Sequence, residues 1–354
     1  MLGDEVVGRR RCWALAAALV VLACALVVPT VANAEQFTVD STADEVDSSL
    51  GDVSCLTAAG KCTLRAAMEE ANSLKGEFDE IVFDETVFDG QLAGTIVLGS
   101  SLPAIKDPIS INGRGCPTAA GVSGPCVGID GPDAGHPALI VDHTEEAEIW
   151  GLAVTDAQTG VSVESSPHFK AQASWFGVKL DGSAGGNTTG IFIDPRSDKG
   201  LIGSEGPERG NVFANNTGDG LDIHGASHVR VLGNYFGIEK DGSPQQVSGE
   251  KEIEVTSAPG EESEAIGNSI GTRVSLEAVA TPACDGGCNV ISGASGASSG
   301  IGIDLEGDGG LETPAIATTI AGNYIGLNAT ATAPVPNATS GIRVGRAPQT
   351  VIGG

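Results

Sequence analysis

One short segment of the chain combines residue types that can transfer protons. Residues 219–224 read DGLDIH and alternate apolar with polar side chains, as a half-buried β-strand does. If the apolar side chains point inward, Asp222 and His224 lie on the opposite face, about 7 Å apart. A carboxylic acid and an imidazole at that spacing can act as general acid and base. Arg230, in the next predicted strand, is a candidate basic partner, and Asp304 matches Asp222 in a later repeat.

These residues also have a structural interpretation, which the sequence favours. The recurrence of an aspartate at Asp222 and Asp304 fits a solubilising position at a strand edge as well as it fits catalysis. The adjacent double Asp and the Gly-His-Gly phrase of polygalacturonase-like enzymes are both missing from the sequence. We therefore expect no catalytic site, with Asp222, His224 and Asp304 as the candidates if the chain is an enzyme.

Three aspartates at predicted turns are candidate calcium ligands. Asp181, Asp219 and Asp308 each precede a glycine, and carboxylates at turns are the ligands that Ca²⁺ prefers. None follows the Gly-Gly-x-Gly-x-Asp spacing of calcium-binding β-rolls. The sequence therefore predicts no cofactor, with calcium as the open alternative.

Charge and the N-terminal segment restrict the partners and the compartment. The formal net charge of −27 disfavours binding to nucleic acid or to anionic membranes. The arginines of residues 9–11, the apolar run 13–28 and the Ala-Asn-Ala sequence at 32–34 have the three-part order of a secretory signal peptide. A membrane anchor is the alternative, but the run is shorter than the roughly 20 residues of a span. We expect a secreted or cell-surface protein without membrane insertion after removal of residues 1–34.

Six cysteines follow the predicted signal peptide in three local pairs. In an exported chain, such even and closely spaced pairs indicate disulfides, although six cysteines allow 15 connectivities. Zinc is the alternative for the last pair, which has no second Cys pair or His nearby to complete four ligands. The pairs are Cys55/Cys62, Cys116/Cys126 and Cys284/Cys288.

The secondary structure is predicted to be almost entirely short strands. One helix is predicted, from Thr63 to about Ser73, with an apolar face at three- and four-residue spacing and with Thr63 as its cap. No helix-length pattern lies between strands, which argues against a βαβ fold. The predicted strands include Ile81–Phe83, Thr95–Leu98, Ile109–Ile111, Ala138–Val141, Gly190–Ile193, Leu221–Ile223, Ile301–Leu305 and Ile342–Val344.

Internal repeats point to a solenoid. Phrases such as Gly-Asn-Val-Phe and Gly-Asn-Tyr-Phe-Gly recur in a constant order at variable spacing, and a solenoid permits this because loops project outward from the stack. The asparagines of these phrases are expected to be corner residues that tolerate left-handed backbone angles, with ligand binding as the alternative. They are Asn211, Asn234, Asn289 and Asn323. The glycosylation sequons at Asn187, Asn215, Asn328 and Asn337 predict exposed turns.

Two stretches carry a family resemblance. Residues 37–45 (FTVDSTADE), which lead to Cys55, and residues 62–72 (CTLRAAMEEAN) resemble the CSLREA domain of bacterial secreted proteins, with departures at Thr63 and Ala66. The later phrases resemble the right-handed parallel β-helix repeats of the same proteins. The resemblance implies an extracellular or surface location and no known activity.

The predicted organisation combines these observations. The fold is expected to be all-β, a right-handed parallel β-helix with a short helical N-terminal cap. The predicted segments are a signal peptide (1–34), a CSLREA-like cap (35–75) and β-helix repeats (76–354). Because the sequence stops inside a repeat, we expect a fragment truncated at the C-terminus.

The predicted function is a non-catalytic scaffold for adhesion or glycan contact. Its inserted loops, at about 239–265 and 305–317, are expected to contact an extracellular glycan or a cell-surface protein. The first alternative is a polysaccharide lyase or glycoside hydrolase that acts on an acidic polysaccharide. The second alternative is a purely structural stalk.

Overall fold

Almost all regular elements of the protein are short parallel strands stacked into three long sheets. The computed structural model describes residues 34–76, 78–117, 123–206, 208–238, 249–258, 265–272, 284, 286–296, 299–307 and 317–353. Strands are numbered in chain order. Sheet A has ten strands within these residues, namely β1 (Gln36–Val39), β2 (Asp79–Phe83), β4 (Ile109–Asn112), β9 (Ala147–Trp150), β12 (Lys170–Gln172), β15 (Leu201–Gly203), β18 (Arg230–Leu232), β21 (Ser269–Ile270), β24 (Thr319–Ile320) and β27 (Val351–Ile352).

Sheets B and C complete each coil. Among the described residues, sheet B contains eight strands and sheet C contains seven. Sheet B consists of β3 (Thr95–Val97), β7 (Val127–Asp130), β10 (Leu152–Thr155), β13 (Trp175–Phe176), β16 (Val212–Phe213), β19 (Tyr235–Phe236), β22 (Val290–Ile291) and β25 (Tyr324–Ile325). Sheet C consists of β8 (Leu139–Asp142), β11 (Thr159–Glu164), β14 (Thr189–Ile193), β17 (Asp219–His224), β20 (Lys251–Thr256), β23 (Ile301–Glu306) and β26 (Ser340–Gly345).

The chain visits sheets A, B and C in turn, and each strand pairs in parallel with its counterpart one coil later. This order makes the fold a right-handed parallel β-helix, which confirms the predicted architecture. Each strand predicted from the sequence overlaps a strand of the structure. One antiparallel hairpin, β5 (Gly115–Pro117) with β6 (Ser123–Pro125), lies outside the three sheets.

The core consists of apolar columns that run along the helix axis. In sheet C, Val161, Ile191 and Leu221 occupy the same register position on successive strands, and all three are fully buried. In sheet B, the rings of Phe176, Phe213 and Phe236 stack with centroids 4.9 and 4.6 Å apart. Parallel strands about 4.8 Å apart bring equivalent side chains into contact, so alternate β-branched and aromatic residues suffice to fill the interior.

The repeat asparagines form a buried ladder at the corner between sheets A and B. The Asn234 Oδ1 accepts hydrogen bonds from the backbone N and the Nδ2 of Asn211, at 3.0 Å each. In the same way, the Asn289 Oδ1 accepts hydrogen bonds from the backbone N and the Nδ2 of Asn234. The Asn323 Oδ1 accepts the corresponding two hydrogen bonds from Asn289. Each Nδ2 also donates to a backbone carbonyl, as Asn234 does to Ile202 at 2.9 Å. The predicted structural role of these residues is confirmed.

The predicted reason for that role is wrong, because none of the four ladder asparagines has a positive φ. The left-handed residue that follows a sheet A strand is a glycine in most coils and Ala173, with a φ of +51°, in one. Gly203 has a φ of +77°, and a Cβ at this position would lie 2.0 Å from the carbonyl oxygen of Leu232. The asparagines are required for their amide side chains, which satisfy backbone groups of adjacent coils.

The N-terminal segment is part of the solenoid. The helix α1 (Leu64–Ser73) begins as predicted at Thr63, whose side chain accepts a hydrogen bond from the Ala66 backbone N. Its apolar face, which includes Leu64 and Met68, joins the main hydrophobic core. Strand β1 pairs with β2, so the segment 35–75 also contributes the first strand of sheet A, and no structural boundary follows residue 75.

Two predicted loop regions need correction. Strand β20 lies within the predicted insertion 239–265, because Ile253 and Val255 alternate inward there. Leu305 and Glu306, at the start of the second predicted insertion, belong to β23. Residues 239–248, 259–264 and 308–316 of these insertions lie outside the described residues, as do residues 1–33 of the predicted signal peptide.

The sequons at Asn187 and Asn215 do not mark exposed turns, because both side chains are buried and hydrogen-bonded. Asn187 belongs to a second amide pair, in which its Nδ2 donates to the Asn216 Oδ1 at 3.2 Å. Asn328 and Asn337 are half-buried.

All three predicted disulfides are present. They join Cys55 to Cys62, Cys116 to Cys126 and Cys284 to Cys288, so the zinc alternative for the last pair is excluded. Three disulfides are typical of proteins in an oxidising, extracellular environment. Among the described residues, no helix has the length and apolar character that a membrane span requires.

The asparagine ladder gives a first prediction. Asn234→Ala removes the acceptor for the Asn211 backbone N–H and the donor to the Ile202 carbonyl, and both groups stay buried. We expect the free energy of unfolding to fall by about 2–4 kcal/mol. Guanidinium denaturation measures the change. Asn328→Ala, whose hydrogen bonds are local to its own turn, should cost less than about 1 kcal/mol. Equal losses in the two variants would contradict a supporting role for the ladder.

Candidate active site on sheet C

The outer face of sheet C carries a row of charged residues on four successive strands. Asp222, Glu254, Asp304 and Arg343 occupy the same register position on β17, β20, β23 and β26. Strand spacing alone therefore places neighbouring members of the row about 4.8 Å apart at their backbones. Asp219 and Lys251 pair with each other in the same way, three residues earlier on β17 and β20. These six residues are called the acidic strip.

Two cations of the acidic strip are bound to two of its acids. The Lys251 Nζ forms a short ion pair with the Glu254 Oε1 and lies 3.8 Å from the Asp304 Oδ2. The Arg343 Nε donates to the Asp304 Oδ1 at 2.7 Å, and its Nη2 donates to the Asp304 Oδ2. Asp304 is fully buried, so this two-pronged contact keeps its negative charge compensated.

Among the described residues, Asp219 and Asp222 have no cation of their own. One carboxylate oxygen from each of Asp219, Asp222 and Glu254 lies within 4.8 Å of the others. The Asp222 Oδ1 is buried and has no hydrogen-bond partner in the part of the chain that the structure describes. The acidic strip therefore contains four carboxyl groups and two cations, and two positive charges are missing if every carboxyl group is ionised.

The pKa values of Asp219 and Asp222 are raised, as expected for carboxyl groups without enough positive charge around them. Burial, followed by the charge of Glu254, raises the pKa of Asp219 to about 8. The same two causes raise the pKa of Asp222 to about 7. Burial alone lowers the pKa of Lys251, but the hydrogen bond to Glu254 and the surrounding carboxylates outweigh it, and the net shift is upward. Near neutral pH, two aspartic acids thus hold protons beside a charged lysine.

Such an arrangement has two chemical uses. A carboxylic acid that keeps its proton near pH 7, next to a carboxylate, is the pairing that general acid and base catalysis uses. Alternatively, a divalent cation such as Ca²⁺ can replace the two protons, because three carboxylate oxygens converge. Either occupant supplies the two missing positive charges.

The structure brings together residues that the sequence had assigned to different roles. Asp222 and Asp304 were candidate catalytic residues and Asp219 a candidate calcium ligand, and all three belong to the acidic strip. His224 lies on the same face of β17 as Asp222, as predicted. Its Nδ1 is 2.8 Å from the Thr256 Oγ1, and its ring packs against Phe192.

Other predicted site residues lie elsewhere. Arg230 is in sheet A, where it forms an ion pair with Glu205, so its expected proximity to Asp222 is wrong. Asp181 caps its own turn by accepting hydrogen bonds from the Oγ and N of Ser183, which lower its pKa. Asp308 lies outside the described residues.

Lys251, Glu254 and Arg343 were missed by the sequence analysis. The sequence feature that could have identified them is the alternation of apolar and polar residues in KEIEVT (251–256) and SGIRVG (340–345). Both segments align with DGLDIH (219–224) when their inward-facing apolar residues are placed at the same positions. That alignment places Glu254 beside Asp222 and Arg343 beside Asp304. It was hidden because residues 251–256 stood within an apparent insertion.

The raised pKa values predict how stability depends on pH. In the unfolded chain, Asp222 loses its proton near its ordinary pKa of 3.8, whereas in the folded protein it keeps the proton up to about pH 7. The folded state is therefore favoured at low pH, and this contribution is lost between about pH 4 and pH 8. We expect Asp222→Asn to raise the melting temperature at pH 8.5 by roughly a few degrees and to change it less at pH 4.5.

Asp181→Asn is the matched control for this experiment. The pKa of Asp181 is lowered, so its substitution should not raise the melting temperature at pH 8.5. Thermal melting of both variants across the pH range gives the comparison. A melting temperature of Asp222→Asn that stays below the parent value at pH 8.5 would contradict the raised pKa.

Comparison with known proteins gives few matches. No family model matches the chain, and no curated protein matches it. One similar solved structure is the alginate lyase from Paenibacillus sp. str. FPU-7, at 13% sequence identity and a TM-score of 0.42, over 90% of this chain and 97% of that chain. At this identity and score, the alginate lyase carries no argument about the activity of the present chain.

Proposed function

We propose that this chain is a secreted glycoside hydrolase and that its acidic strip hydrolyses a glycosidic bond of an extracellular polysaccharide. The observation that carries this proposal is the convergence of Asp219, Asp222 and Glu254, with the pKa values of both aspartates raised to about 8 and 7. Glycoside hydrolysis requires two carboxyl groups in opposite protonation states on either side of one bond.

Asp222 and Glu254 fit the two roles. Asp222 holds a proton near neutral pH, and its Oδ1 has no partner within the described residues, so it serves as the general acid. The Glu254 carboxylate forms an ion pair with the ammonium group of Lys251 and serves as the nucleophile. Asp219 lies beside Glu254 and is a positioning residue for it, since the protonated carboxyl of Asp219 hydrogen-bonds to Glu254.

The spacing favours a two-step reaction with retention of configuration. Carboxylate oxygens within 4.8 Å of one another are closer to the roughly 5–5.5 Å of retaining enzymes than to the wider spacing of inverting ones. In the first step, Asp222 gives its proton to the leaving oxygen, while the Glu254 carboxylate forms an ester with the anomeric carbon. In the second step, the Asp222 carboxylate takes a proton from water as that water displaces Glu254.

The state of the two cations favours hydrolysis over a lyase reaction. A lyase needs a base that removes a proton from the sugar ring. Lys251 and Arg343 both carry raised pKa values and are bound to carboxylates, so neither accepts a proton near neutral pH. His224 is the remaining candidate base on this face, and its Nδ1 lies 2.8 Å from the Thr256 Oγ1. The formal net charge of −27 of the whole chain also favours an uncharged polysaccharide over an acidic one.

A non-catalytic scaffold is the second candidate. The closed ion pairs of Lys251 with Glu254 and of Arg343 with Asp304 favour it, because such pairs also serve to join successive coils. In that case a divalent cation neutralises Asp219 and Asp222, and loops make the contacts with a glycan or a cell-surface protein. The resemblance of residues 37–72 to a CSLREA module is consistent with either candidate and stays a proposal.

Activity assays on a polysaccharide panel test the proposal. The panel contains neutral xylan, mannan and mixed-linkage glucan together with acidic polygalacturonate and alginate. We expect new reducing ends without unsaturated products from at least one neutral member. Asp222→Asn and Glu254→Gln should each lower the rate by roughly 10²–10⁴-fold, because each removes one half of the acid–base pair.

Asp181→Asn is again the matched control and should keep full activity. The rate should fall as the pH rises through 7, since Asp222 then loses its proton. Absence of turnover on every member, together with stoichiometric calcium binding that Glu254→Gln abolishes, would exclude the hydrolase and favour the scaffold. Unsaturated products would instead indicate a lyase.

A further inference from the structure

A second concave site lies on the outer face of sheet B. It is a cleft of about 260 Å³, and its lining includes Leu92, Gly128, Asp130, Ala153, Lys179 and Leu180. None of these residues belongs to the acidic strip, which is on sheet C. This site is called the sheet B cleft.

The register of sheet B explains why the cleft exists. Thr95, Gly128, Ala153 and Trp175 occupy one outward-facing column on β3, β7, β10 and β13. The two middle positions carry the smallest side chains, so the sheet face is depressed between Thr95 and the half-buried indole of Trp175. The cleft therefore results from two small residues, Gly128 and Ala153, at neighbouring positions of the sheet.

The side walls come from two turns. Leu92 belongs to a 3-10 turn (Leu92–Gly94) just before β3. Lys179 and Leu180 belong to a tight turn after β13, in which the Lys179 backbone N donates to the Ser183 carbonyl oxygen at 2.9 Å. These turns give the cleft apolar flanks around a floor of Gly128 and Ala153.

One edge of the cleft is polar. The Lys179 Nζ lies 2.8 Å from the Asp156 Oδ2, and Asp130 lies beside Asp156. Burial, followed by the hydrogen bond and charge of Asp156, raises the pKa of Asp130. Two carboxyl groups and one ammonium group give this edge both hydrogen-bond donors and acceptors, without an excess of positive charge.

These features select the ligand class. Apolar flanks and floor with a few convergent polar groups are typical of small-molecule sites, and 260 Å³ is just below the roughly 300–1,000 Å³ of drug-sized ligands. A pyranose ring has this size, an apolar C–H face and a rim of hydroxyl groups that donate and accept. An ionised uronic acid would meet the carboxyl groups of Asp130 and Asp156, and the one ammonium group at this edge, that of Lys179, is already paired with Asp156.

The column beyond the cleft has a spacing that suits a glycan chain. Tyr235 follows Trp175 two strands later in the same outward column, with Val212 between them. Two strand spacings are about 10 Å, roughly the length of a disaccharide unit. A chain that lies along the helix axis would thus meet an aromatic ring at alternate coils.

We propose that the sheet B cleft binds one uncharged pyranose residue of a polysaccharide, at a site separate from the acidic strip. Trp175 contacts the neighbouring sugar, and Lys179 and Asp130 bind hydroxyl groups. The binding requires no turnover, so the inference goes beyond the proposed hydrolysis and does not depend on it.

Tryptophan fluorescence tests the proposal in the chain without the predicted signal peptide, residues 35–354. Trp150→Phe leaves Trp175 as the sole tryptophan there. The Glu254→Gln substitution is added so that no probe is cleaved. The probes are cellohexaose, xylohexaose, mannohexaose and hexa-N-acetylchitohexaose, with hexagalacturonate as the acidic counterpart. We expect at least one neutral hexasaccharide to change the Trp175 emission saturably and hexagalacturonate to bind about tenfold more weakly or less.

Variants locate the binding. Ala153→Leu fills the floor and should weaken binding about tenfold or more. Arg230→Ala changes an exposed side chain of sheet A, away from the cleft and its column, and should leave the affinity unchanged. If Ala153→Leu lowers the melting temperature, Lys179→Ala provides the second test and must also weaken binding.

No response to any neutral hexasaccharide overturns the proposal, as does unchanged affinity in both Ala153→Leu and Lys179→Ala. If the parent protein hydrolyses no polysaccharide but a neutral hexasaccharide still binds, only the proposed hydrolase activity is overturned.

Discussion

In-register parallel stacking is the constraint on which the rest of the structure depends. Each strand lies about 4.8 Å from its counterpart on the next coil, so whatever occupies one position is placed against its equivalent above and below. For Val161, Ile191 and Leu221 this produces a dry column, and for Asn211, Asn234 and Asn289 it produces a continuous amide ladder. Contacts between equivalent apolar side chains, and hydrogen bonds between equivalent amide side chains, stabilise the stack. This explains why the same short sequences recur along the chain.

Charged residues do not gain from such stacking. Two like charges about 5 Å apart at a protein surface repel by about 3 kcal/mol at an effective dielectric constant near 20. The row Asp222, Glu254 and Asp304 therefore requires compensation. Arg343 closes the row at Asp304, and Lys251 bridges Glu254 and Asp304 from the neighbouring column. Asp219 and Asp222 are left over, and retention of a proton on each is the simplest way for the fold to tolerate them. Groups held in unusual protonation states by their surroundings are characteristic of active sites.

The sequence predicted more of the fold than of the site, for a physical reason. Alternating apolar residues and glycine corners are local signals, so the strands, the helix that begins after Thr63 and the three close cysteine pairs follow from the sequence. The correspondence of Asp222 with Asp304 also followed, because their repeats align. Which residues touch across coils depends on the number of residues in each turn, and that number is variable. The strand that holds Glu254 was hidden inside an apparent insertion for this reason.

Arg230 illustrates why closeness in sequence does not predict contact in this fold. It follows Asp222 by eight residues in the sequence, yet consecutive strands of a β-helix belong to different sheets, and only strands one full coil apart are neighbours. Lys251 and Arg343 take the place that Arg230 was predicted to fill. In a solenoid, sequence proximity is therefore a poor guide to a site, and register is a good one.

The central claim is that protons on Asp219 and Asp222 balance the acidic strip near neutral pH. Carboxyl-carbon NMR titration of protein labelled with ¹³C at the aspartate side chains measures this directly, with Asp219→Asn and Asp222→Asn to assign the two signals. We predict that these two carboxyl groups titrate near pH 8 and pH 7, apart from the other aspartates. Titration of both groups near the ordinary aspartate value of 3.8, in metal-free buffer, would contradict the account.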